Sequence, residues 1–255
     1  MSHMNHIPSS LGDSSEPPIR VLFLGRSQCD ATDKALAHLK RLGFEITFVK
    51  SKGRGEGLPE DIGHWEGEYI LCFRSLFLLR KYLLDKAKIA AVNFHPAPPE
   101  YPGSGCLNFA LYDGAKEYGV TAHLMNEKID NGQILECRRF PILKNDGVDS
   151  LLERTHLKLL DLFFDVTTGI GTAGKEYIDA LLSRSKHESW RGLARRMSEL
   201  EKLQTVPMNI SEEELARVIR ATFTESFPPR IVLHGYVFEL KSPNKLRCAA
   251  LQDHG

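Results

Sequence analysis

Residues 91–134 read AVNFHPAPPEYPGSGCLNFALYDGAKEYGVTAHLMNEKIDNGQI, and they contain the polar residues around which this chain is organised. The stretch continues an apolar run from Ile89, which predicts a buried strand ending near His95. Side chains two positions apart in a strand point the same way, so Asn93 and His95 project together. Pro96 then ends regular pairing and turns the chain outward. An amide beside an imidazole at a strand end is a candidate polar site.

The same stretch closes on a carboxylate, Asp130, within Ile129-Asp130-Asn131-Gly132. On spacing alone, Asp-Asn-Gly is a turn sequence, and a histidine at a strand end is more often structural than functional. A functional interpretation requires Asn93, His95 and Asp130 to converge at the carboxyl edge of a sheet, where open α/β folds bind their ligands. Spacing leaves both interpretations open.

The composition excludes several classes of protein. Lys+Arg and Asp+Glu both number 33, so the formal net charge of zero argues against a broad nucleic-acid surface. The longest apolar runs are far short of the ~20 residues that span a bilayer, so no membrane partner is expected. The five cysteines form no CxxC pair, which indicates neither a zinc site nor a disulfide framework. We therefore expect free thiols, no metal and a cytoplasmic protein. The cysteines are Cys29, Cys72, Cys106, Cys137 and Cys248.

Outward from the central stretch, apolar strands alternate with helical patterns. This order predicts an α/β fold whose mostly parallel sheet begins with a right-handed strand–helix–strand unit and becomes mixed after its fourth strand. The predicted strands are 19–25, 45–49, 68–73, 89–94, 119–125 and 133–141, and the predicted helices are 30–42, 75–84 and 106–114.

The C-terminal third has a different pattern. A helix with a broad apolar face is predicted over 149–167, ended by the glycines of 169–174 and followed by a short helix at 176–182. Ser211 and Glu214 predict the start of another helix, and a hairpin is predicted over 230–240 around His234-Gly235. We therefore divide the chain into a tag or disordered leader (1–18), a main domain (19–182) and a small helix-and-hairpin subdomain (183–255).

The order of several short motifs resembles the formyltransferases that use 10-formyltetrahydrofolate. Those motifs are Asn-x-His-Pro at 93–96, a Tyr-x-Gly loop at 101–103, Gly-Val-Thr-x-His at 119–123 and Ile-Asp-x-Gly-x-Ile at 129–134. The resemblance is close over 68–142 and reaches 19–50 only as a strand–helix–strand pattern. It implies a Rossmann-like formyltransferase domain, and it implies that Asn93, His95 and Asp130 are the catalytic residues.

Formyl transfer suits these residue types. The reaction passes through a tetrahedral intermediate whose oxyanion Asn93 and His95 can stabilise by donating hydrogen bonds. The attacking amine must be neutral and must lose a proton, to His95 or to Asp130, and the sequence leaves this choice open. No metal is needed.

The resemblance also implies binding residues. The folate cosubstrate would lie along Phe73, Arg74, Ser75 and Leu76 and along Met125, Asn126, Ile129 and Asp130, with its pterin held largely by backbone groups. Arg74 stands where the family often has a small or aromatic residue, so we expect its side chain at the pterin or in solvent. The acceptor would contact Tyr101, Pro102 and Gly103, and Pro102 replaces a common arginine.

The size of the chain and its tail are similar to the sugar N-formyltransferases. We therefore expect the acceptor to be a nucleotide-linked amino sugar, such as a GDP- or dTDP-4-amino-4,6-dideoxyhexose, used for surface polysaccharide (O-antigen) synthesis. Alternatives are formylation of glycinamide ribonucleotide or of methionyl-tRNA, and a non-catalytic folate or nucleotide-sugar binding protein. We also expect a homodimer formed through the hairpin. Trp190, Tyr236 and Phe238 are expected to be core or interface aromatics rather than to stack on a substrate.

Overall fold

A computed structural model describes residues 17–244. Residues 1–16 and 245–255 lie outside the described part, and with them most of the predicted leader, the end of the predicted subdomain and Cys248. The strands are β1 Arg20–Arg26, β2 Glu45–Ser51, β3 Gly67–Phe73, β4 Ala87–His95, β5 Glu117–Leu124, β6 Ile134–Pro141, β7 Arg230–Leu233 and β8 Tyr236–Glu239. The helices are α1 Asp30–Arg41, α2 Lys81–Leu84, α3 Cys106–Tyr112, α4 Val148–Arg184, α5 Met197–Gln204 and α6 Glu212–Thr222, with a 3-10 turn at Glu60–His64.

Six strands form the central sheet in the order β2-β1-β3-β4-β5-β6. The strands from β1 to β4 run parallel to one another, and β5 and β6 are antiparallel to their neighbours. A separate two-stranded sheet, β7-β8, lies near the C-terminus. These sheets confirm the predicted α/β class and the change from parallel to mixed pairing after the fourth strand.

The core lies between the sheet and the helices α1 and α4. The Phe163 ring of α4 packs against Phe23, Phe73 and Phe94 from three neighbouring strands, with ring centroids 5.6, 5.0 and 4.8 Å away. A truncation of such a side chain to alanine costs about 3–5 kcal/mol in typical cores. On the opposite face a smaller cluster, which includes Trp65, covers β1 and β3. Both faces of the parallel strands are therefore buried, as their continuous apolar runs require.

The prediction that the glycines of 169–174 end the long helix is confirmed at Gly174. This residue, at φ 51° and ψ −127°, breaks the helical geometry of α4, and a second helical stretch follows it as far as Arg184. The apolar face continues on both sides of the kink, because Ile170 and Ile178 are buried against the same core. An added Cβ at Gly169 would lie 2.3 Å from the Tyr177 ring, so glycine makes room for this packing. Tertiary packing outweighs the propensity cost of about 1 kcal/mol per glycine.

The predicted helix over 75–84 is also largely wrong. Only Lys81–Leu84 is helical. The backbone N–H of Leu76 donates to Ser51 Oγ at 2.9 Å, and that of Phe77 donates to Ser75 Oγ at 3.2 Å. Side-chain hydroxyls therefore satisfy the backbone donors of a non-helical turn, which is how serine competes with helical structure.

The C-terminal elements follow their local signals. Ser211 Oγ accepts from the Glu214 backbone N–H at 3.2 Å, which confirms the predicted N-cap of α6. The Glu214 carboxylate, however, accepts from the Tyr112 hydroxyl of α3 and so ties α6 to the main sheet domain. The β7-β8 hairpin turns through His234 and Gly235, both at positive φ, as a two-residue hairpin turn requires. Within residues 17–244, no helix is long and apolar enough to cross a membrane.

Candidate active site

The last four residues of β4 pair with the last four residues of β5. In this antiparallel pair, Asn93 is opposite His123 and His95 is opposite Thr121. The alternation of the strand places Asn93 and His95 on the same side, and the pairing adds His123 to them. The Asn93 amide nitrogen lies 3.1 Å from His123 Nε2. The site therefore contains a second histidine that the sequence interpretation did not assign.

Asp130 lies in the loop between β5 and β6 and joins the two histidines. Its Oδ2 atom is 3.4 Å from His95 Nδ1, and its Oδ1 atom is 3.5 Å from His123 Nε2. The backbone N–H of Gly103 donates to Oδ2 at 2.8 Å. Asp130 adopts a left-handed conformation, φ 44°, which turns its carboxylate inward. The structure thus brings Asn93, His95 and Asp130 together at the carboxyl edge of the sheet.

Burial and charge set the protonation of the pair. Burial lowers the pKa of His95, but the Asp130 carboxylate, the Cys106 thiol and the Tyr101 carbonyl raise it by more, to about 9. Burial likewise raises the pKa of Asp130, but the charge of His95, the adjacent His123 ring and the hydrogen bond from the Gly103 N–H lower it to about 2. The two shifts describe one interaction, since each charge stabilises the other. At neutral pH the pair is an imidazolium and a carboxylate.

Hydrogen-bond partners fix the ring tautomers. His95 Nε2 lies 3.2 Å from the Tyr101 carbonyl oxygen, so with Nδ1 facing Asp130 both ring nitrogens face acceptors. His123 Nδ1 lies 2.9 Å from the Leu124 carbonyl oxygen, so Nδ1 carries a proton and donates it there. Its Nε2 then accepts from the Asn93 amide. One N–H of the Asn93 amide is thereby held, and the second remains as a donor.

Trp190 covers the two histidines. Its ring meets the His123 ring edge-on, with centroids 4.9 Å apart at 84°, and the His95 ring at 5.7 Å and 67°. Its Nε1–H donates to the Gly132 carbonyl at 2.7 Å. The expectation of a core aromatic misses this role, because the contact is made across 58 positions of sequence with no local signal. The Gly-Val-Thr-x-His motif, in contrast, contained a signal for His123.

The segment that carries Trp190 pairs with the loop after β4. Arg191 N–H donates to the Pro99 carbonyl at 2.9 Å, and Arg195 N–H donates to the Pro102 carbonyl at 3.1 Å. Ser104 N–H returns a bond to the Arg195 carbonyl at 2.8 Å. Segment 190–195 therefore holds the loop that supplies backbone groups to His95 and Asp130.

The predicted acceptor residues line this loop. The carbonyl of Tyr101 faces His95, and the N–H of Gly103 bonds Asp130. Pro102 is buried, and the half-buried Tyr101 ring lies 6.3 Å from the Tyr118 ring. These three residues thus contribute backbone groups and shape rather than charged side chains.

The first predicted folate segment follows β3. The Phe73 side chain is fully buried in the core, so only its backbone is available to a ligand. Arg74 departs from the expectation of a pterin or solvent position, because its Nη1 lies 3.1 Å from Cys29 Sγ. Its left-handed backbone, φ 56°, turns it towards α1. Ser75 and Leu76 are half-buried beside it.

The second predicted folate segment follows β5. Met125 N–H donates to the Ala91 carbonyl at 2.8 Å, which keeps the start of this segment beside β4. Asn126 is exposed and accepts from the Lys128 N–H at 2.9 Å, and Ile129 is 56% exposed. β3 and β5 are the two neighbours of β4, so the two segments border the His95 strand end on either side. In the part of the chain that the structure describes, no three His, Cys, Asp or Glu residues are grouped to hold a metal ion.

Known proteins resemble this chain in sequence and in fold. The methionyl-tRNA formyltransferase of Pediococcus pentosaceus is 37% identical over 84 residues, which are 32% of this chain and 26% of that protein. This chain therefore spans about a quarter of that relative's length. The sugar N-formyltransferase structure from Shewanella sp. FDAARGOS_354 matches 89% of this chain and 98% of its own, with TM-score 0.66 and 17% identity.

A second solved structure is the N-formyltransferase of Helicobacter canadensis, in complex with folinic acid and dTDP-3-aminofucose. The match covers 85% of this chain and 85% of that chain, with TM-score 0.61 and 15% identity. At such identities these structures establish a shared fold. The family model described as formyl transferase matches residues 25–167, more than half of the sequence. The chain belongs to the formyl transferase family.

Proposed function

We propose that the protein transfers a formyl group from N10-formyltetrahydrofolate to the amino group of a nucleotide-linked amino-dideoxy sugar. The observation that carries this proposal is the buried His95–Asp130 ion pair beside the Asn93 amide, with 3.4 Å between Nδ1 and Oδ2. Family membership supports formyl transfer as the chemistry. The similarity in fold to sugar N-formyltransferases, over nearly the full length of the Shewanella chain, supports a sugar amine as acceptor.

His95 acts in this mechanism through its positive charge. Its ring carries a proton on each nitrogen at neutral pH, because its pKa is about 9, so it has no position left to accept another. The amine attacks the formyl carbon, and the carbonyl electron pair moves to oxygen. The second N–H of Asn93 donates to that oxyanion, and a preorganised donor contributes about 3–4 kcal/mol in known enzymes. The positive charge of His95, whose own N–H groups face Tyr101 and Asp130, stabilises it further.

The proton released by the amine goes to Asp130. Its carboxylate is the base that remains in the site once His95 is protonated, and its side chain is only 7% exposed. The intermediate then collapses, the carbon–N10 bond breaks, and Asp130 returns the proton to N10 of tetrahydrofolate, directly or through water. The acceptor nitrogen has lost one proton and N10 has gained one, so the site ends in its starting state.

The folate would lie along 73–76 and 125–130. These segments follow β3 and precede β6, and they border the end of β4 on both sides. Backbone groups of Phe73 and of the Met125–Asp130 segment face this edge and could hold a pterin. The folinic acid in the complex of the Helicobacter canadensis relative supports a folate cosubstrate.

We take the acceptor to be a GDP- or dTDP-linked 4-amino-4,6-dideoxyhexose used for O-antigen or other surface polysaccharide. The dTDP-3-aminofucose in the complex of the Helicobacter canadensis relative supports this class of acceptor. Methionyl-tRNA is the second candidate, because the curated relative from Pediococcus pentosaceus acts on it. The formal net charge of zero disfavours it, since tRNA binding usually requires a basic surface. Free cysteines favour a reducing compartment, and so the cytoplasm.

The assay supplies 10-formyltetrahydrofolate with a panel of GDP-, dTDP- and UDP-linked amino sugars, and in parallel with glycinamide ribonucleotide and methionyl-tRNA. We expect turnover only with an amino sugar. Turnover with glycinamide ribonucleotide or methionyl-tRNA, and with no sugar, would refute the proposal. His95→Ala should abolish transfer while folate binding survives. His187→Ala, which removes a histidine that is 77% exposed, is the matched control and should keep its rate.

We also propose a homodimer formed through the hairpin. β7 and β8 present exposed apolar side chains, among them Tyr236 at 73%, Val237 at 56% and Phe238 at 57% exposure. A two-stranded sheet is marginal by itself in water and is usually supported by further packing. Light scattering at micromolar concentration should give twice the chain mass, and Phe238→Lys should return it to the mass of one chain. A wild-type monomer would contradict the proposal.

A further inference from the structure

The ionised pair of the candidate site is almost closed to solvent. The side chains of His95 and Asp130 are 5% and 7% exposed, and that of the neighbouring His123 is 3% exposed. A group that exchanges a proton with a side chain must come within about 3 Å of it, or reach it through one water molecule. The reactants of the proposed transfer therefore need a movement of the protein before they can reach His95 and Asp130.

The cover over these side chains is a single segment, residues 186–196, which we call the strap. The strap connects α4 to α5, and its one regular pairing is an isolated bridge at Arg195. It carries Trp190, whose ring centroid lies 5.7 Å from that of His95 and 4.9 Å from that of His123. The catalytic edge of the sheet is thus covered by a connecting segment rather than by a packed helix or strand.

The middle of the strap makes little packing contact. Gly192 has a φ of 75°, and a Cβ added there would meet nothing within 4 Å. The next side chain, Leu193, is 90% exposed. A segment with exposed backbone bonds and few buried apolar contacts belongs to the low-stability end of a structure, where local opening occurs. The glycine also provides a backbone position that can change its dihedral angles at low cost.

Ion pairs hold the start of the strap to the sheet. The Glu188 carboxylate accepts two hydrogen bonds from the Arg139 guanidinium of β6, at 2.5 and 2.9 Å. The same guanidinium bonds Glu100, in the loop after β4, at 3.0 Å, and Arg191 lies 3.6 Å from Glu100. We call these four residues the latch. Two parallel N–H···O bonds fix one geometry, yet they can break and reform without opening the hydrophobic core.

We propose that the strap is a lid, which lifts with Trp190 to admit the reactants to His95 and Asp130 and closes over them with the latch formed. The inference rests on the proposed function for the identity of those reactants. Closure excludes water from the developing oxyanion and from the ion pair, which strengthens both interactions. Lifting removes the indole N–H from the Gly132 carbonyl, and the acceptor amine is a donor that can replace it.

The alternative is a fixed cover. Asn93 is half-buried, so a ligand could touch its amide with the strap in place, while His95 and Asp130 would stay covered. The two cases differ in whether the strap opens in the free protein. That difference can be measured without turnover and without a ligand.

The test measures amide hydrogen exchange of the full chain, resolved by residue. The backbone N–H groups of Arg191 and Arg195 bond across to the loop after β4, so they are protected only while the strap is closed. We expect them to exchange at least about tenfold faster than the amides of β4 and β5 beneath the strap. Arg139→Gln breaks the latch and should accelerate their exchange about fivefold, the effect of one partly exposed charged pair. Arg138→Gln, on the same strand but bonded to α4, is the matched control and should leave it unchanged.

Glu188→Gln weakens the latch from the strap side and should act in the same direction as Arg139→Gln, so the test remains valid if one variant folds poorly. Strap amides that exchange as slowly as those of β4 and β5 would overturn the proposal. The same strap exchange in Arg139→Gln, Glu188→Gln and Arg138→Gln would also overturn it. Because exchange needs no turnover, a failure of the lid is distinguishable from a failure to formylate any sugar.

A kinetic measurement follows once an active amino sugar is known. The latch is formed in the closed protein with and without ligand, so Arg139→Gln should raise the association and dissociation rates of the sugar by about the same factor, fivefold, and leave Kd nearly unchanged. Stopped-flow binding measures both rates. A change carried by the dissociation rate alone would make the latch a part of the binding site and would refute its role in a lid.

Discussion

The Nδ1 atom of His95 lies 3.4 Å from the Oδ2 atom of Asp130, and the two side chains are only 5% and 7% exposed. A pair held this far from water depends on both charges, since removal of one leaves the other buried and uncompensated. Each residue therefore controls the protonation of the other, and the predictions for the site start from this dependence.

Asp130→Asn should lower the pKa of His95 well below its present value of about 9, because burial then acts on the ring without the carboxylate to oppose it. The ring becomes neutral at pH 7, and the site loses the positive charge of His95 and the carboxylate base. We expect kcat/KM to fall at least 10²–10³-fold. Kinetics and an NMR titration of His95 measure the two effects. Asp179→Asn, at an exposed helix position, is the control, and an unchanged His95 titration in Asp130→Asn would contradict the prediction.

The pH dependence of kcat/KM follows from the charged state of His95. The positive charge of His95 is lost as pH rises through its pKa of about 9, so kcat/KM should fall tenfold per pH unit above that value. The acidic limb of the profile reports the acceptor amine, which must be neutral to attack. A kcat/KM that instead rises through pH 9 and then levels would show that His95 is the base.

Stability should respond to pH through the same pair. The pKa of His95 is raised from 6.5 to about 9, so its contribution is complete below pH 6.5 and is lost as pH rises through 9. The pKa of Asp130 is lowered from 3.8 to about 2, so its contribution is complete above pH 3.8 and is lost as pH falls through 2. The pair therefore stabilises the fold most between these limits.

Thermal unfolding of the wild type and of His95→Gln measures this contribution. The difference in melting temperature should be largest between about pH 4 and 6.5 and should shrink by pH 10, where the wild-type ring is neutral. A difference that stays constant from pH 6 to pH 10 would mean that the ion pair does not form in solution.

Much of the fold was predictable because its signals are local. The apolar run of β1, the spacing of α1 and the Ser211 cap of α6 each depend on a few neighbouring residues, and all three were confirmed. The alternation that puts Asn93 and His95 on one side of β4 is local in the same sense. Asp130 joins them after one further strand, a step that the motif order implied.

The remainder depends on contacts between distant parts of the chain. Trp190 contacts Gly132, 58 positions away in sequence, and Arg74 contacts Cys29, 45 positions away. Residues close in sequence therefore predict neither contact. The break in α4 at Gly174 brings the Tyr177 ring over Gly169, a contact that no propensity scale contains. The sequence pattern thus located the three residues proposed as catalytic, while the groups around them required the folded chain.

Gly132→Ala should disrupt the site through the backbone. An added Cβ would lie 1.7 Å from the Leu124 carbonyl oxygen, which is the acceptor of His123 Nδ1. The turn must shift, and we expect a loss of about 1–3 kcal/mol or more in unfolding free energy. Thermal unfolding should show a decrease of several degrees. Gly53→Ala, where nothing lies within 4 Å, is the matched control, and equal melting temperatures of the two variants would contradict the prediction.

Trp190 should support catalysis through two separable contacts, its hydrogen bond to Gly132 and its ring contact with the histidines. Trp190→Phe loses only the hydrogen bond, about 1 kcal/mol, so kcat/KM should fall about fivefold. Trp190→Ala also loses the ring contact, about 0.5–1.5 kcal/mol more, and exposes His95 to water.

The two variants should therefore rank wild type, Trp190→Phe, Trp190→Ala in kcat/KM. Trp65→Phe, the same substitution at the chain's other tryptophan, lies in the smaller core cluster on the far face of the sheet. Trp65→Phe should reduce the melting temperature and should leave both kcat/KM and its decrease at alkaline pH unchanged. A kcat/KM of Trp190→Ala equal to that of the wild type would show that the tryptophan is a packing residue alone. If its side chain shields the His95–Asp130 pair from water, its removal must change the pKa values of that pair and therefore kcat/KM.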